Sequence, residues 1–192
     1  MAERIVIIDT ETTGLDDRTQ QVTEIAWCGV TGPSDRLVVP HFSHEAEQAA
    51  LDISGHHARQ LWDPSTWASR EDMLSLRGVL AGATIGGANV GFDLRFLSNI
   101  FHDRPWHHRP LDIEAYAAGA LGWEIGHSLS DTASRLRDMG FTIHESDHTA
   151  QHDVLCARDV YIAARLFSME SPVRRVRRVF VAEQLDRERA TK

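Results

Sequence analysis

Four apolar residues in a row, Ile5-Val6-Ile7-Ile8, run without a break into Asp9-Thr10-Glu11-Thr12-Thr13-Gly14-Leu15. A run this short and this uniformly apolar reads as a strand covered on both faces, which puts it inside an α/β sheet. Nothing apolar follows to hide the acids. Successive strand residues point to opposite faces, so Asp9 and Glu11, two apart, project to the same side. Two carboxylates at one height and in one direction repel each other unless a cation sits between them. The natural occupant is a hard, oxygen-loving divalent ion, Mg²⁺ or Mn²⁺. The competing reading is a solvated acidic turn after a core strand.

The rest of the chain sets the sheet around that strand. Strands are expected at 4–9, 20–30 and 35–40, joined through short polar loops (Asp16-Asp17-Arg18 and Thr31-Gly32-Pro33-Ser34), which makes an antiparallel meander. Helices fall within 44–81, and a further strand at 84–88. From there strands alternate with helices: helix 92–101, a short strand near 110–112, then helices near 113–121, 128–138, 150–168 and 172–189. Alternation of that kind adds parallel strands at one edge. The expected fold is α/β, a mixed five-stranded sheet with helices on both faces. The 192 residues suffice for one domain, 1–170, and a basic C-terminal helix, 171–192, begins at Ser171-Pro172.

Charge is divided unevenly. Residues 171–192 carry six Arg and one Lys against three acids, a local +4 that leaves −12 on the remainder. An acidic body excludes broad electrostatic gripping of nucleic acid, but not a nucleic-acid enzyme whose acids are neutralised by metal. Candidates for a basic groove are few. The C-terminal arginines Arg174, Arg175, Arg177 and Arg178 could steer a phosphate backbone or dock on an acidic partner, but the preferred reading is a solvated face, with Val173, Val176, Phe180 and Leu185 turned inward. Cys28 and Cys156 form no disulfide framework and have no partners at metal-ligand spacing, so both are expected as small core residues in a reducing compartment. No segment approaches the ~18 apolar residues of a membrane span, and no charged leader precedes the first strand. The cytoplasm is the expected compartment.

Two later acids stand where a core should begin. On helix 92–101, Asp93 shares a face with Phe96, Leu97 and Ile100; on helix 150–168, Asp153 aligns with Ala157, Val160, Ala164 and Phe167. Each acid opens the apolar stripe that its helix turns to the sheet. A first-turn position favours negative charge on its own, which is the simpler account of either acid alone. An unpaired buried carboxylate is costly and neutralises itself or finds a cation.

Taken together, Asp9-x-Glu11-Thr-Thr-Gly-Leu15, Asn89-x-x-Phe92-Asp93-x-x-Phe-Leu97 and His148-x-Ala150-x-x-Asp153 resemble the three motifs of the DEDDh group of DnaQ-like 3′–5′ exonucleases. That group includes proofreading subunits, RNase T and oligoribonuclease. The resemblance extends to Glu24-Ile25-Ala26, Leu111-Asp112 and Ser128-Leu129 and covers residues 4–168. It departs at Ala88, where the family often has His. It implies an RNase H-like fold and a metal-dependent exonuclease that releases nucleoside monophosphates. Two Mg²⁺ or Mn²⁺ ions would be held by Asp9, Glu11, Asp93 and Asp153. Asp9 would bridge the two, Glu11 and Asp153 complete one, and Asp93 hold the other partly through water. His148 would be the general base, a role suited to a group titrating near neutrality.

The implied substrate is the 3′ end of single-stranded nucleic acid, DNA in preference to RNA, with no membrane partner. A homodimer and association with a polymerase both stay open. Thr12, Thr13 and Gly14 would offer backbone to the terminal nucleotide, and Leu15 would wedge against its base. Asn89 is either a helix cap or a substrate contact, with capping preferred; Phe92 is either core or near the bases, with core preferred. Spacing constrains His148 further. Residues five apart are ~140° out of phase on a helix, so His148 is expected on the loop ahead of the helix that carries Asp153. His152 and His144 receive no role, and His56-His57 either line the substrate groove or form a solvated helix start, with the latter preferred.

Overall fold

The computed structural model describes residues 4–42 and 46–190. Strand β1 (Ile5–Thr12) is central in a five-stranded sheet of order β3-β2-β1-β4-β5. β2 (Val22–Gly29) and β3 (Ser34–Val38) pair antiparallel, as the meander requires. Helix α1 (Gln48–Ile53), a 3-10 turn at Pro64–Thr66 and helix α2 (Arg70–Leu80) lead to β4 (Thr84–Gly87), which pairs parallel with β1. After α3 (Val90–Ile100), the two-residue strand β5 (Leu111–Asp112) pairs parallel with β4. Helices α4 (Ile113–Leu121), α5 (Leu129–Asp138), α6 (Ala150–Met169) and α7 (Pro172–Ala190) complete the chain. This is the mixed sheet expected, and β1 runs three residues past Asp9, so that both acids lie within the strand.

Alternation along β1 divides the core into two layers. Ile7, with Ala26 and Cys28 of β2, packs against residues of α4, α5 and α6 such as Ile113, Leu136 and Val154. Val6 and Ile8, with Ile25 and Ile85, pack on the other face against Leu76 and Leu80 of α2 and Phe96 and Leu97 of α3. Burying side chains of this size yields roughly 1.5–3 kcal/mol each, which is why the apolar run selects the middle of the sheet. Gly87 ends β4 against β1: a Cβ there would meet the carbonyl oxygen of Ile8 at 2.7 Å. That close approach draws the start of α3 in beside the C-terminal end of β1.

Both cysteines are free and buried, as expected, and burial pushes their thiols up to about 11 for Cys28 and about 12 for Cys156. No helix among the described residues is long and apolar enough to cross a membrane.

The inward face of α7 differs from expectation. Val173 and Val176 are 80% and 70% exposed, and the helix instead turns Val179 and Ala182 toward the α5–α6 layer. Arg178 explains the rotation. Its guanidinium lies 4.3 Å from the centre of the Phe141 ring, donates to the Met139 carbonyl, and pairs with Glu170 at 2.9 Å. Leu185 is half-buried, and the side chain of Phe180 lies outside the described residues.

Candidate active site

The alternation that sends Ile7 to the α6 side of β1 sends Asp9 and Glu11 there as well. Helix α6 opposes them with Asp153 in its first turn, capped by Thr149, whose side chain accepts from the His152 N–H. One carboxylate oxygen from each of Asp9, Glu11 and Asp153 lies within 4.8 Å of the other two. Asp93 comes from the opposite layer. It is 3% exposed, stands in the first turn of α3, and its Oδ1 accepts from Thr10 Oγ1 at 2.7 Å. Thr10 belongs to the α3 side of β1, so Asp93 is seated on the strand that carries the other acids.

Their electrostatics reflect this crowding. Asp9 is raised well above the ordinary carboxylate range, first by burial, then by the charges of Asp93, Glu11 and Asp153. Glu11 is pushed up to about 8 by burial, Asp153 and Glu24, against the pull of Arg59. Burial raises Asp93 to about 7, although the hydrogen bond from Thr10 opposes the rise. Acids so placed hold protons near neutrality unless a cation replaces them. All-oxygen donors, crowded and partly desolvated, fit a hard divalent ion and would suit a soft one poorly.

His148 is exposed and precedes α6 with a left-handed backbone, φ 61°. It thus occupies the loop before the helix, as the five-residue spacing to Asp153 demands. Its neighbour Asp147 ties that loop down. The Asp147 N–H donates to Asp153 Oδ1 at 3.2 Å, while its carboxylate accepts from Thr149 and meets His152 Nδ1 at 2.6 Å. His152 is therefore engaged with Asp147.

The loop after β1 is held from within. Thr12 Oγ1 donates to the Gly14 carbonyl, and Thr13 Oγ1 to Gln20 Oε1, each at 2.7 Å. Both hydroxyls serve the turn. Gly14 does permit a close approach, but of Glu47: a Cβ on Gly14 would stand 2.6 Å from Glu47 Oε1. Leu15 is 72% exposed. Phe92 packs against Phe96, ring centres 4.9 Å apart, as the core reading of that residue has it. Asn89 takes the N-cap position of α3 but makes no side-chain cap bond. Its φ of 47° explains this, since Asn tolerates the left-handed region that turns the chain from Gly87 into α3. His56 is fully buried, contrary to its reading as solvated, with Nε2 2.7 Å from His41 Nε2; burial and the neighbouring imidazoles lower it to about 4.

Glu24 was a motif neighbour in the sequence and is a participant in the structure. It is fully buried, opposes Glu11 in the β1–β2 ladder, and accepts from Arg36 and Arg59 at 2.5 Å each. A lone acid inside Val22-Thr23-Glu24-Ile25-Ala26 was the available signal, because a buried carboxylate demands partners.

No protein-family model and no curated protein matches the chain. Solved structures do. ExoI of E. coli, in a zinc-bound form of its complex with single-stranded DNA, aligns with a TM-score of 0.62 at 16% identity, over 88% of this chain and 41% of that one. Exonuclease I of Methylocaldum szegediense, moderately thermophilic, aligns with a TM-score of 0.62 at 14% identity, over 91% of this chain and 44% of the other. The chain spans less than half the length of either. At these identities the likeness establishes a common fold.

Proposed function

We propose that the chain is a DEDDh, DnaQ-like exonuclease that hydrolyses single-stranded or frayed DNA from the 3′ end and releases nucleoside monophosphates. The observation that carries this reading is the meeting of Asp9, Glu11 and Asp153 within 4.8 Å, with Asp93 fixed on the same strand by Thr10. The single-stranded DNA bound to the E. coli neighbour supports DNA as the substrate class. The four carboxylates would hold two Mg²⁺ or Mn²⁺ ions. Bound there, such ions would lower the pKa of water and neutralise charge developing at phosphorus. Asp9 would be shared between the two ions, and Thr10 orients Asp93. His148 takes the proton of the attacking water on its imidazole, and the Asp147 contacts hold its loop against Asp153. Leu15 stacks on the terminal base. The cytoplasm is the proposed compartment, in keeping with two free thiols.

The test is a time course on 5′-labelled DNA and RNA oligomers of one sequence, in Mg²⁺, in Mn²⁺ and in EDTA, with Asp9→Ala as control. A ladder shortening from the 3′ end, dependent on metal and absent in the variant, is the expected result. Intact oligomers from folded protein under every condition would overturn the reading. The faster of the two substrates names the nucleic acid.

A further inference from the structure

The segment 102–110, His-Asp-Arg-Pro-Trp-His-His-Arg-Pro, sets two Arg and three His against one acid in a body that otherwise carries excess negative charge. The acid, Asp103, is already paired with Arg77. Backbone bonds fix this segment beside the chain that enters β4, ahead of its pairing with β5: the Gly82 N–H donates to the Pro105 carbonyl and the His107 N–H to the Ala83 carbonyl, both at 2.8 Å. Between it and the outer face of α3 lies a cavity of about 360 Å³, lined among others by Gly91, Arg95, Ser98, Arg104, Trp106 and His108.

Each wall has a distinct chemistry. Arg104 is exposed, with φ 45°, and its guanidinium has no carboxylate partner among the described residues. Arg95 opposes it from α3; it is about half-exposed and contacts Asp17 at 3.3 Å. His108 packs against His107, ring centres 4.4 Å apart and planes tilted by 45°. Trp106 packs partly into the α2–α3 layer while also lining the cavity. Gly91 contributes no side chain, and a Cβ built on it would meet nothing within 4 Å. That opening is in the same first turn of α3 that carries Asp93. The α3 wall from Gly91 to Ser98 is about 10 Å long, the rise of about three stacked nucleotides.

We infer that this cavity binds the part of a single strand lying upstream of the terminal nucleotides, an inference that rests on the exonuclease reading of the neighbouring site. Arg104 and Arg95 meet its phosphates, and a base stacks on Trp106. Arginines beside an aromatic platform are how proteins hold single strands without reading sequence. The site also resolves a difficulty of charge, because it supplies local cations to a chain whose net charge is −8.

Two surface variants test it. Arg104→Glu reverses the unpaired charge, and Gly91→Phe puts a ring at the α3 end of the cavity, where its Cβ meets nothing within 4 Å. Folding of both is verified by thermal melting. Binding of 5′-fluorescein dodecathymidylate is followed by anisotropy in EDTA, where no cleavage competes, and hydrolysis of a dinucleotide and of the dodecamer is followed in Mn²⁺. Either variant is expected to weaken dodecamer binding and raise its KM about tenfold, with kcat and dinucleotide hydrolysis unchanged. The salt dependence of binding should fall by about one unit for Arg104→Glu. Wild-type dodecamer affinity and KM in both variants would overturn the inference and leave the exonuclease reading standing. A wild-type protein that cleaves neither substrate would remove that reading, and dodecamer binding in EDTA that is lost in Arg104→Glu would still support the cavity.

Discussion

Glu11 releases its proton only at about pH 8 and Asp93 at about pH 7, and these values turn the site into a stability problem. A carboxyl raised in the folded state favours folding while protonated and loses that advantage as pH rises through its folded value. The window follows from ordinary values of 4.5 and 3.8, so metal-free protein should lose stability steadily from about pH 4 to about pH 8. A tenfold difference in proton affinity between folded and unfolded chain is worth about 1.4 kcal/mol, and a few kcal/mol in all is the expected scale. Asp9→Asn removes the acid most heavily opposed by its neighbours. It is expected to raise the metal-free melting temperature at about pH 8 and flatten the pH profile, while abolishing the stabilisation that Mn²⁺ confers on wild type. Differential scanning calorimetry with and without Mn²⁺ checks both halves. A variant that melts below wild type in EDTA would show that Asp9 is held by partners rather than repelled.

At the scale of elements, the β1–β2 hairpin and the segment after α1 are joined by one buried charge. Glu24 is fully buried, and Arg59 comes to it from beyond α1 with a side chain 25% exposed. Removing one partner of such a group leaves an uncompensated charge, at a cost of about 3–5 kcal/mol where burial is complete. Arg59→Met, which keeps the apolar stem, should cost about 2–4 kcal/mol because Arg36 continues to serve the same oxygen. Urea denaturation measures it, and a loss under about 0.5 kcal/mol would mean that Arg36 alone satisfies Glu24. The same elements show what a sequence discloses. Strands and helices with a clear period, β1, α3 and α6, were legible, and so were the four acids, since each stands at a fixed phase within its element. Glu24 and Arg59 were not paired in advance because they are 35 residues apart, across a loop and a helix with no common period. The burial of His56 and the inward face of α7 were likewise set by tertiary partners, His41 and Phe141, that no local pattern announces.

For the whole molecule, the balance of charge limits how the proposed single-stranded substrate could be held. A chain with 20 basic and 28 acidic residues cannot bind polyanion through its surface at large, so affinity must come from a few local cations. The binding of a long oligomer should therefore respond weakly to salt. With two or three phosphates met by Arg95, Arg104 and their neighbours, log K should fall against log salt with a slope of about −1.5 to −2, at about −0.7 per contact for single strands. Cations at the carboxylate site change the offset more than the slope, because they neutralise acids rather than add a track for the backbone. Anisotropy titrations from about 50 to about 300 mM salt, in EDTA and again in Ca²⁺, measure both quantities. A slope steeper than about −4 would require six or more phosphate contacts, more than Arg95, Arg104 and their neighbours supply. A shallow slope would instead confine the strand to the end of the sheet, where its terminal phosphodiester reaches Asp9, Glu11, Asp93 and Asp153.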